Sequence, residues 1–527
     1  MFDLLIQGGN IIDGSGKTAF TADLGIEKGK IAAIGNLSGQ SAASTLSAAG
    51  RTVTPGFIDI HRHADAAVFR PGFGEAELSQ GLTTIINGNC GYAIAPIAPE
   101  RKEEICHYQR PILGAVPDSC PTDSMAAYFS AMKDLPLNCG MLAGTGTVRA
   151  TVMGYDLLRP EKKHMKAMQK SLEDSLSAGA VGVSMGIGYA PECYYSKEEI
   201  KELLSPIAGQ GIPLAVHMRQ EALGVIDAVK EMLDVAESLN IPLEISHLKA
   251  IGREIWGKAI PEILGILEKK AASGMKVGCD IYPYVSGSTQ LIHMMPTEFL
   301  EGGMTALTER LKDPEQRKLL RARFETGRDF ENLPMLVGWD AIMLTSLSRP
   351  ENQIYCAKNL VEIAEMRNST PFESCCDLLV SENCGITMIE FIAAQEDLQR
   401  ILTHPLSCII SDSICPTEGL VHPRVYGSFP RAIRRFVKKK GIFTLEEAVR
   451  KMTSKPAEVM GLQGKGLIAE GMDADLCIFD PKEVKDNADY KNPTELSTGF
   501  DYVLVGGEIA MDHGKMTSAR AGRAIRR

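Results

Sequence analysis

The side chains best suited to chemistry are histidines, and four of the ten close short apolar runs. A Pro55-Gly56 turn opens Phe57-Ile58-Asp59-Ile60-His61-Arg62-His63, which reads as a buried strand. His61 and His63 are two residues apart, so an extended backbone projects both imidazoles to one face. There they can grip a transition metal, most simply zinc. His217 closes Leu214-Ala215-Val216 and His247 closes Leu243-Glu244-Ile245-Ser246 in the same manner. Asp412 closes Cys408-Ile409-Ile410-Ser411, and Cys90 follows a further apolar run in Asn87-Gly88-Asn89-Cys90-Gly91. Glycines there let backbone approach a ligand, and a metal would hold the cysteine as thiolate. Each residue alone has an ordinary role: a satisfied core histidine, a reduced core thiol, a cap. Together, at the ends of successive strands, they are a candidate ligand set.

Such ends meet only if the strands share a direction, and the intervening pattern supplies one. From residue 57 to about 450, short apolar runs alternate with helical stretches at 161–178, 196–209, 222–239 and 258–272. Strand runs are expected at 83–88, 137–142, 180–185, 213–217, 242–247, 276–282, 341–345 and 407–412. The alternation predicts an α/β fold with a parallel sheet, and about eight repeats predict a (β/α)8 barrel. Its active site belongs at the C-terminal ends of the strands, where the histidines, Cys90 and Asp412 fall. Residues 1–54 and 455–527 read as β-structure, and are expected to pack together as a discontinuous β-sandwich domain flanking a barrel at 55–454. A charged helical insertion is expected at about 290–340, and the basic tail at 520–527 is expected to be mobile.

Composition narrows the class. Hydrophobic residues at 44% and charged residues at 23% are those of a globular protein with ample core. A net charge of −10 without a long run of one sign argues against nucleic acid as the main partner. No membrane span or signal peptide is legible at the start. Thirteen cysteines, an odd number scattered through apolar segments, point to reduced thiols and a cytoplasmic location.

The order His-x-His, His, His, Asp between two β-rich ends resembles the amidohydrolase superfamily. Within it the chain is similar to the D-aminoacylase (N-acyl-D-amino-acid deacylase) family. The shared segments run through the whole chain and include GFIDIHRH (56–63), GLTTIINGNCG (81–91), GVSMGIGYAP (182–191), EISHLKA (244–250), DIYPYVSGST (280–289) and HPRVYGSFPR (422–431). Many amidohydrolases bridge two metals with a lysine on the fourth strand, but 178–196 contains none. The D-aminoacylase group uses a cysteine instead, and Cys90 matches it by motif. The resemblance thus implies a tightly held zinc on Cys90, His217 and His247, with a second, weaker position at His61, His63 and Asp412. It implies hydrolysis of the amide of a small-molecule N-acyl-D-amino acid, with Asp412 as general base. Arg424, a guanidinium past the last strand, suits the substrate carboxylate. Tyr189, Lys249, Tyr282 and Ser288 are further substrate-binding candidates by the same resemblance. A cyclic-amide hydrolase of dihydropyrimidinase or hydantoinase type is the competing enzyme, and a metal-free scaffold protein the competing non-enzyme.

Overall fold

The computed structural model describes residues 1–527. Its centre is a barrel of eight parallel strands: β1 (Phe57–Asp59), β2 (Leu82–Asn87), β3 (Asn138–Gly144), β4 (Gly182–Gly186), β5 (Leu214–His217), β6 (Leu243–Ile245), β7 (Val277–Ile281) and β8 (Ser407–Ile409). They pair in chain order from β1 to β8. The seam closes just beyond the strand ends, where Ser413–Ile414 pairs in parallel with Arg62–His63 and the Asp412 amide donates to the His61 carbonyl at 2.9 Å. All eight strands are fully buried, which explains their continuous apolar runs in place of an alternating pattern. Helices cover the outside. In Val225–Leu239 the residues Val225, Ala228, Val229, Met232 and Ala236 recur at helical spacing and face the barrel, and Asn240 ends the helix in the left-handed region.

Both chain ends enter one nine-stranded sheet. Thr52–Pro55 from the N-terminal segment pairs antiparallel with Leu476–Phe479 from the C-terminal one, and Ile6, Leu24, Val53, Leu476 and Leu504 share an apolar cluster. No helix is long and apolar enough to cross a membrane.

Three expectations are corrected. The 341–345 run is a strand, Ile342–Ser346, but it lies outside the barrel, in a four-stranded antiparallel sheet with Ser286–Gln290, Thr387–Phe391 and Lys358–Asn359. A short apolar run announces a strand without naming its partner, and here the partner lies some forty residues downstream. The helices Gly303–Lys312, Pro314–Thr326 and Leu333–Leu336 in the expected insertion belong to the same excursion between β7 and β8, which spans more chain than the charged stretch indicates. The basic tail is not loose. Gly522 and Ala524 form bridges with Leu135 and Cys139, and the Arg527 amide donates to the Gly179 carbonyl at 3.1 Å.

Candidate metal centre and active site

The ends of β1, β2 and β8 are locked before any ligand is considered. Arg62 is fully buried, with Nη2 2.5 Å from Glu77 Oε1 and Nη1 3.2 and 3.3 Å from the hydroxyls of Ser411 and Ser413. Asp59 accepts from the backbone amides of His61 and Ser411 at 3.3 and 3.1 Å. One arginine and one aspartate thus tie β1 to β8 and set His61 and His63 beside Asp412. Asn89 donates to the carbonyls of Ile60 and Ile86 at 3.2 and 3.0 Å, which fixes the turn that carries Cys90. Gly91 in that turn has φ +73°, and a Cβ there would lie 1.9 Å from Glu192 Oε2, so no other residue fits.

The six expected ligand residues gather at the mouth of the barrel. Cys90 Sγ lies 3.2 Å from His61 Nε2 and 3.4 Å from His247 Nε2, and His247 Nε2 lies 3.0 Å from His217 Nδ1. Asp412 Oδ1 is 3.5 Å from His61 Nε2 and 3.4 Å from His63 Nε2. Cys90, His247 and Asp412 each sit at positive φ, between 36° and 54°. For residues other than glycine such backbone costs about 1–3 kcal/mol each and persists where surrounding structure imposes it. A thiol, four imidazoles and a carboxylate, buried with their lone pairs converging, have little reason to associate on their own account. Three sets lie close enough to share an ion: His61, Cys90 and His247; His61, His63 and Asp412; and His217, Glu221 and His247. This donor set fits zinc.

Electrostatics prepare the same groups. Burial alone would raise the Cys90 thiol, but His61, His247 and His217 outweigh it and hold it well below its usual range, as thiolate. Burial would likewise raise the Asp412 carboxyl, yet Arg424 foremost, then His247, His63 and His61, hold it far below the usual range. Arg424 Nη1 is 2.9 Å from Asp412 Oδ2, so Oδ1 is the oxygen left toward the histidines.

A second ring of residues surrounds the ligands and lines a narrow cavity of about 20 Å³. Tyr189, Lys249, Tyr282, Ser288 and Arg424, the five expected substrate contacts, all border it. Arg424 lies over the Tyr282 ring at 4.6 Å and donates from Nη2 to the Ser288 carbonyl at 2.8 Å, while its Nε has no partner. The Ser288 hydroxyl is turned away, donating to the Met388 carbonyl at 2.8 Å. Tyr189 packs at a tilt against both His217 and His293, with ring centroids 4.4 and 4.6 Å away, and its hydroxyl meets Thr289 at 3.1 Å. Arg219 is scaffold, paired with Glu231 at 2.9 Å.

Four neighbours escape the sequence reading. Glu221 accepts from Lys249 Nζ at 2.7 and 2.8 Å and lies 3.0 Å from His247 Nδ1, which Lys249 Nζ also approaches to 2.8 Å. It therefore orients the ring so that Nε2 faces Cys90. Asp280 accepts from the His247 amide and faces His61 Nδ1 at 3.5 Å. Glu390 and His293 complete the cavity wall. Only Asp280 falls in a quoted motif. Glu221 stands four residues past His217, and that spacing was its one available signal.

The chain is similar to known proteins over its whole length. Amidohydrolase family models match residues 52–246 and 386–511. D-aminoacylase of Alcaligenes xylosoxydans xylosoxydans is 33% identical over 100% of this chain and 98% of its own. N-acyl-D-glutamate deacylase of the same organism is 34% identical over 100% and 96%. A crystal structure of N-acyl-D-glutamate deacylase from Bordetella bronchiseptica, complexed with zinc and a phosphonate inhibitor that mimics the tetrahedral intermediate, superposes with TM-score 0.84 at 31% identity over the whole of both chains. The barrel of eight parallel strands and the end-to-end match agree: this chain belongs to the D-aminoacylase family of metal-dependent amidohydrolases.

Proposed function

We propose that the protein is a zinc-dependent hydrolase of N-acyl-D-amino acids, cleaving the linear amide to a carboxylate and a free D-amino acid. The observation that carries this reading is the meeting of Cys90, His217, His247, His61, His63 and Asp412, all but the fully buried His61 in the wall of one cavity that Arg424 also lines. Cys90, His217 and His247 would hold the tight zinc, and His61, His63 and Asp412 the weaker position. Zinc bound there supplies a Lewis acid for the amide carbonyl and lowers the pKa of water toward about 7.

The chain's own residues do the rest. Asp412, ionised beside Arg424, takes a proton from water at Oδ1 and returns it to the leaving nitrogen. Arg424, with an unpartnered Nε, and Lys249 supply the cations for the substrate α-carboxylate, and the Tyr282 hydroxyl faces the same space. The strand Ser286–Gln290 closes over the site, with Gly287, Ser288 and Thr289 in the cavity wall, and limits the entry of bulk water. Stereochemical preference is carried by family membership.

The test is a screen of N-acetyl-, N-formyl- and N-succinyl-D-amino acids beside their L-counterparts, with release of the free amino acid as readout. Turnover of D-substrates with little of the L-forms is expected. Release of ammonia instead, or turnover of cyclic amides only, would remove the reading.

A further inference from the structure

Two buried polar side chains in the cavity wall have no task in the mechanism above. Glu390 is 5% exposed, and its Oε2 has no hydrogen-bond partner. It reaches the cavity because Thr387–Phe391 pairs antiparallel with Ser286–Gln290, with Glu390 opposite Gly287. A Cβ on Gly287 would stand 2.9 Å from Glu390 Oε1, so the glycine makes room for the carboxylate. His293 is 7% exposed, and both of its ring nitrogens lack partners. Its ring is fixed against Tyr189 at 4.6 Å and lies 5.5 Å from the His217 ring. Unpartnered polar groups this deeply buried are rare unless something else satisfies them. Both border the space the substrate must fill.

The charges around that space set what can fill it. Two lining residues carry a permanent positive charge, Lys249 and Arg424. Lys249 is gripped by both oxygens of Glu221, and Arg424 by Asp412. Lys249 Nζ also lies 2.8 Å from His247 Nδ1, which takes its third N–H, so the free donor for a substrate's single α-carboxylate is Arg424 Nε. A second carboxylate, on the side chain, finds no further cation and meets Glu390. A side chain bearing N–H donors finds the opposite: an acceptor at Glu390, and at the neutral His293 imidazole one N–H to give and one nitrogen to accept.

We propose that Glu390 and His293 form the side-chain subsite of this chain, and that it selects N-acyl-D-amino acids with a carboxamide side chain (glutamine, asparagine) and rejects those with a second carboxylate. The carboxamide N–H2 donates to Glu390 and its carbonyl accepts from His293, so both orphaned groups are satisfied by one planar amide. This rests on the deacylase reading and narrows its substrate class. Overall similarity does not decide the point, because the relatives at 33% and 34% identity are a D-aminoacylase and an N-acyl-D-glutamate deacylase.

The experiment is a comparison of kcat/KM on the zinc-loaded full chain for the N-acetyl derivatives of D-glutamine, D-asparagine, D-leucine, D-glutamate and D-aspartate. Burial pushes the Glu390 carboxyl up to about 7, so the panel is run above about pH 8, where it is ionised. There the two carboxamides are expected to lead, with D-glutamine over D-glutamate by about a hundredfold or more, because a buried like-charge pair is costly and a polar pocket rejects the wrong partner strongly. Glu390→Gln, nearly isosteric, should narrow the glutamine-to-glutamate ratio by tenfold or more through a gain on D-glutamate. Its melting temperature is recorded so that the ratio is read only on folded protein, and the wild-type panel decides independently of the variant. D-glutamate or D-leucine turned over as well as D-glutamine overturns this proposal and leaves the deacylase reading standing. No turnover of any member overturns the deacylase reading, and this one with it.

Discussion

Glu221→Gln is a demanding perturbation of the site, because Glu221 serves a cation and a metal ligand at once. Its carboxylate lies 2.7 and 2.8 Å from Lys249 Nζ and 3.0 Å from His247 Nδ1, and all three side chains are within a few per cent of complete burial. Burial would raise the Glu221 carboxyl, but Lys249, His217 and His247 hold it well below the usual range. At 2.7 Å and an effective dielectric of about 20, the Lys249 attraction is about 6 kcal/mol before desolvation is set against it. Breaking a buried pair by removing one charge costs about 3–5 kcal/mol, since the remaining ammonium stays in the interior without a counter-charge. Exchange of the charged carboxylate acceptor at His247 Nδ1 for a neutral amide, free to turn its N–H2 to the ring, also loosens the tautomer, which weakens metal affinity by about 10–100-fold. Three measurements follow on one sample: urea unfolding of the metal-free protein, zinc affinity by chelator competition, and kcat with KM. Stability should fall, zinc should bind more weakly, and Glu221→Gln/Lys249→Met should recover stability without recovering KM. Wild-type unfolding and zinc affinity in Glu221→Gln would refute the orienting role.

Asp412→Asn should keep its tight zinc and lose about 10²–10⁴ in kcat, read by metal analysis beside steady-state kinetics; near-normal kcat would remove Asp412 as the base. Arg424→Met should raise KM and lower kcat/KM by about 10²-fold or more, because a guanidinium facing the α-carboxylate is lost and Asp412 loses its counter-charge. Glu331, 5% exposed, accepts the Glu221 amide at 2.6 Å, and burial together with the charges of Glu221 and Glu390 pushes its carboxyl up to about 8. A raised carboxyl binds its proton more tightly in the folded state, so its ionisation erodes stability as pH climbs from about 4.5 through about 8. Glu331→Gln should therefore match the wild type near pH 4.5 in urea unfolding and exceed it by up to about 4 kcal/mol above pH 8. Equal stabilities at both pH values would contradict that burial.

How much of this was legible in the sequence follows from where each residue sits. His61, His63, His217, His247 and Asp412 could be found because each ends a run too apolar for a loop, and one barrel face gathers all such ends. Cys90 lies past its strand by three residues, and its motif, rather than any periodicity, marked it. Glu221 and Glu390 were invisible for a different reason. An acidic residue past a strand end, or beside the partly exposed Phe391, reads as solvated surface until the excursion between β7 and β8 folds over it. His293 follows a strand that pairs only with distant residues, so nothing local announces its burial. The alternating pattern also could not separate a barrel strand from Ile342–Ser346, since both are short apolar runs. Lys249 is the instructive case: the resemblance offers it to the substrate, and the fold also pairs it with Glu221, which no local pattern announces.

The central claim is that Cys90, His217 and His247 hold an ion at the barrel mouth. X-ray absorption on the purified full-length protein, with total metal measured on the same sample, tests it directly. At least one zinc per chain is expected, with a single sulfur at about 2.3 Å and nitrogen ligands at about 2.0–2.1 Å. Protein free of metal, or zinc whose coordination contains no sulfur and is unchanged in Cys90→Ser, would contradict it.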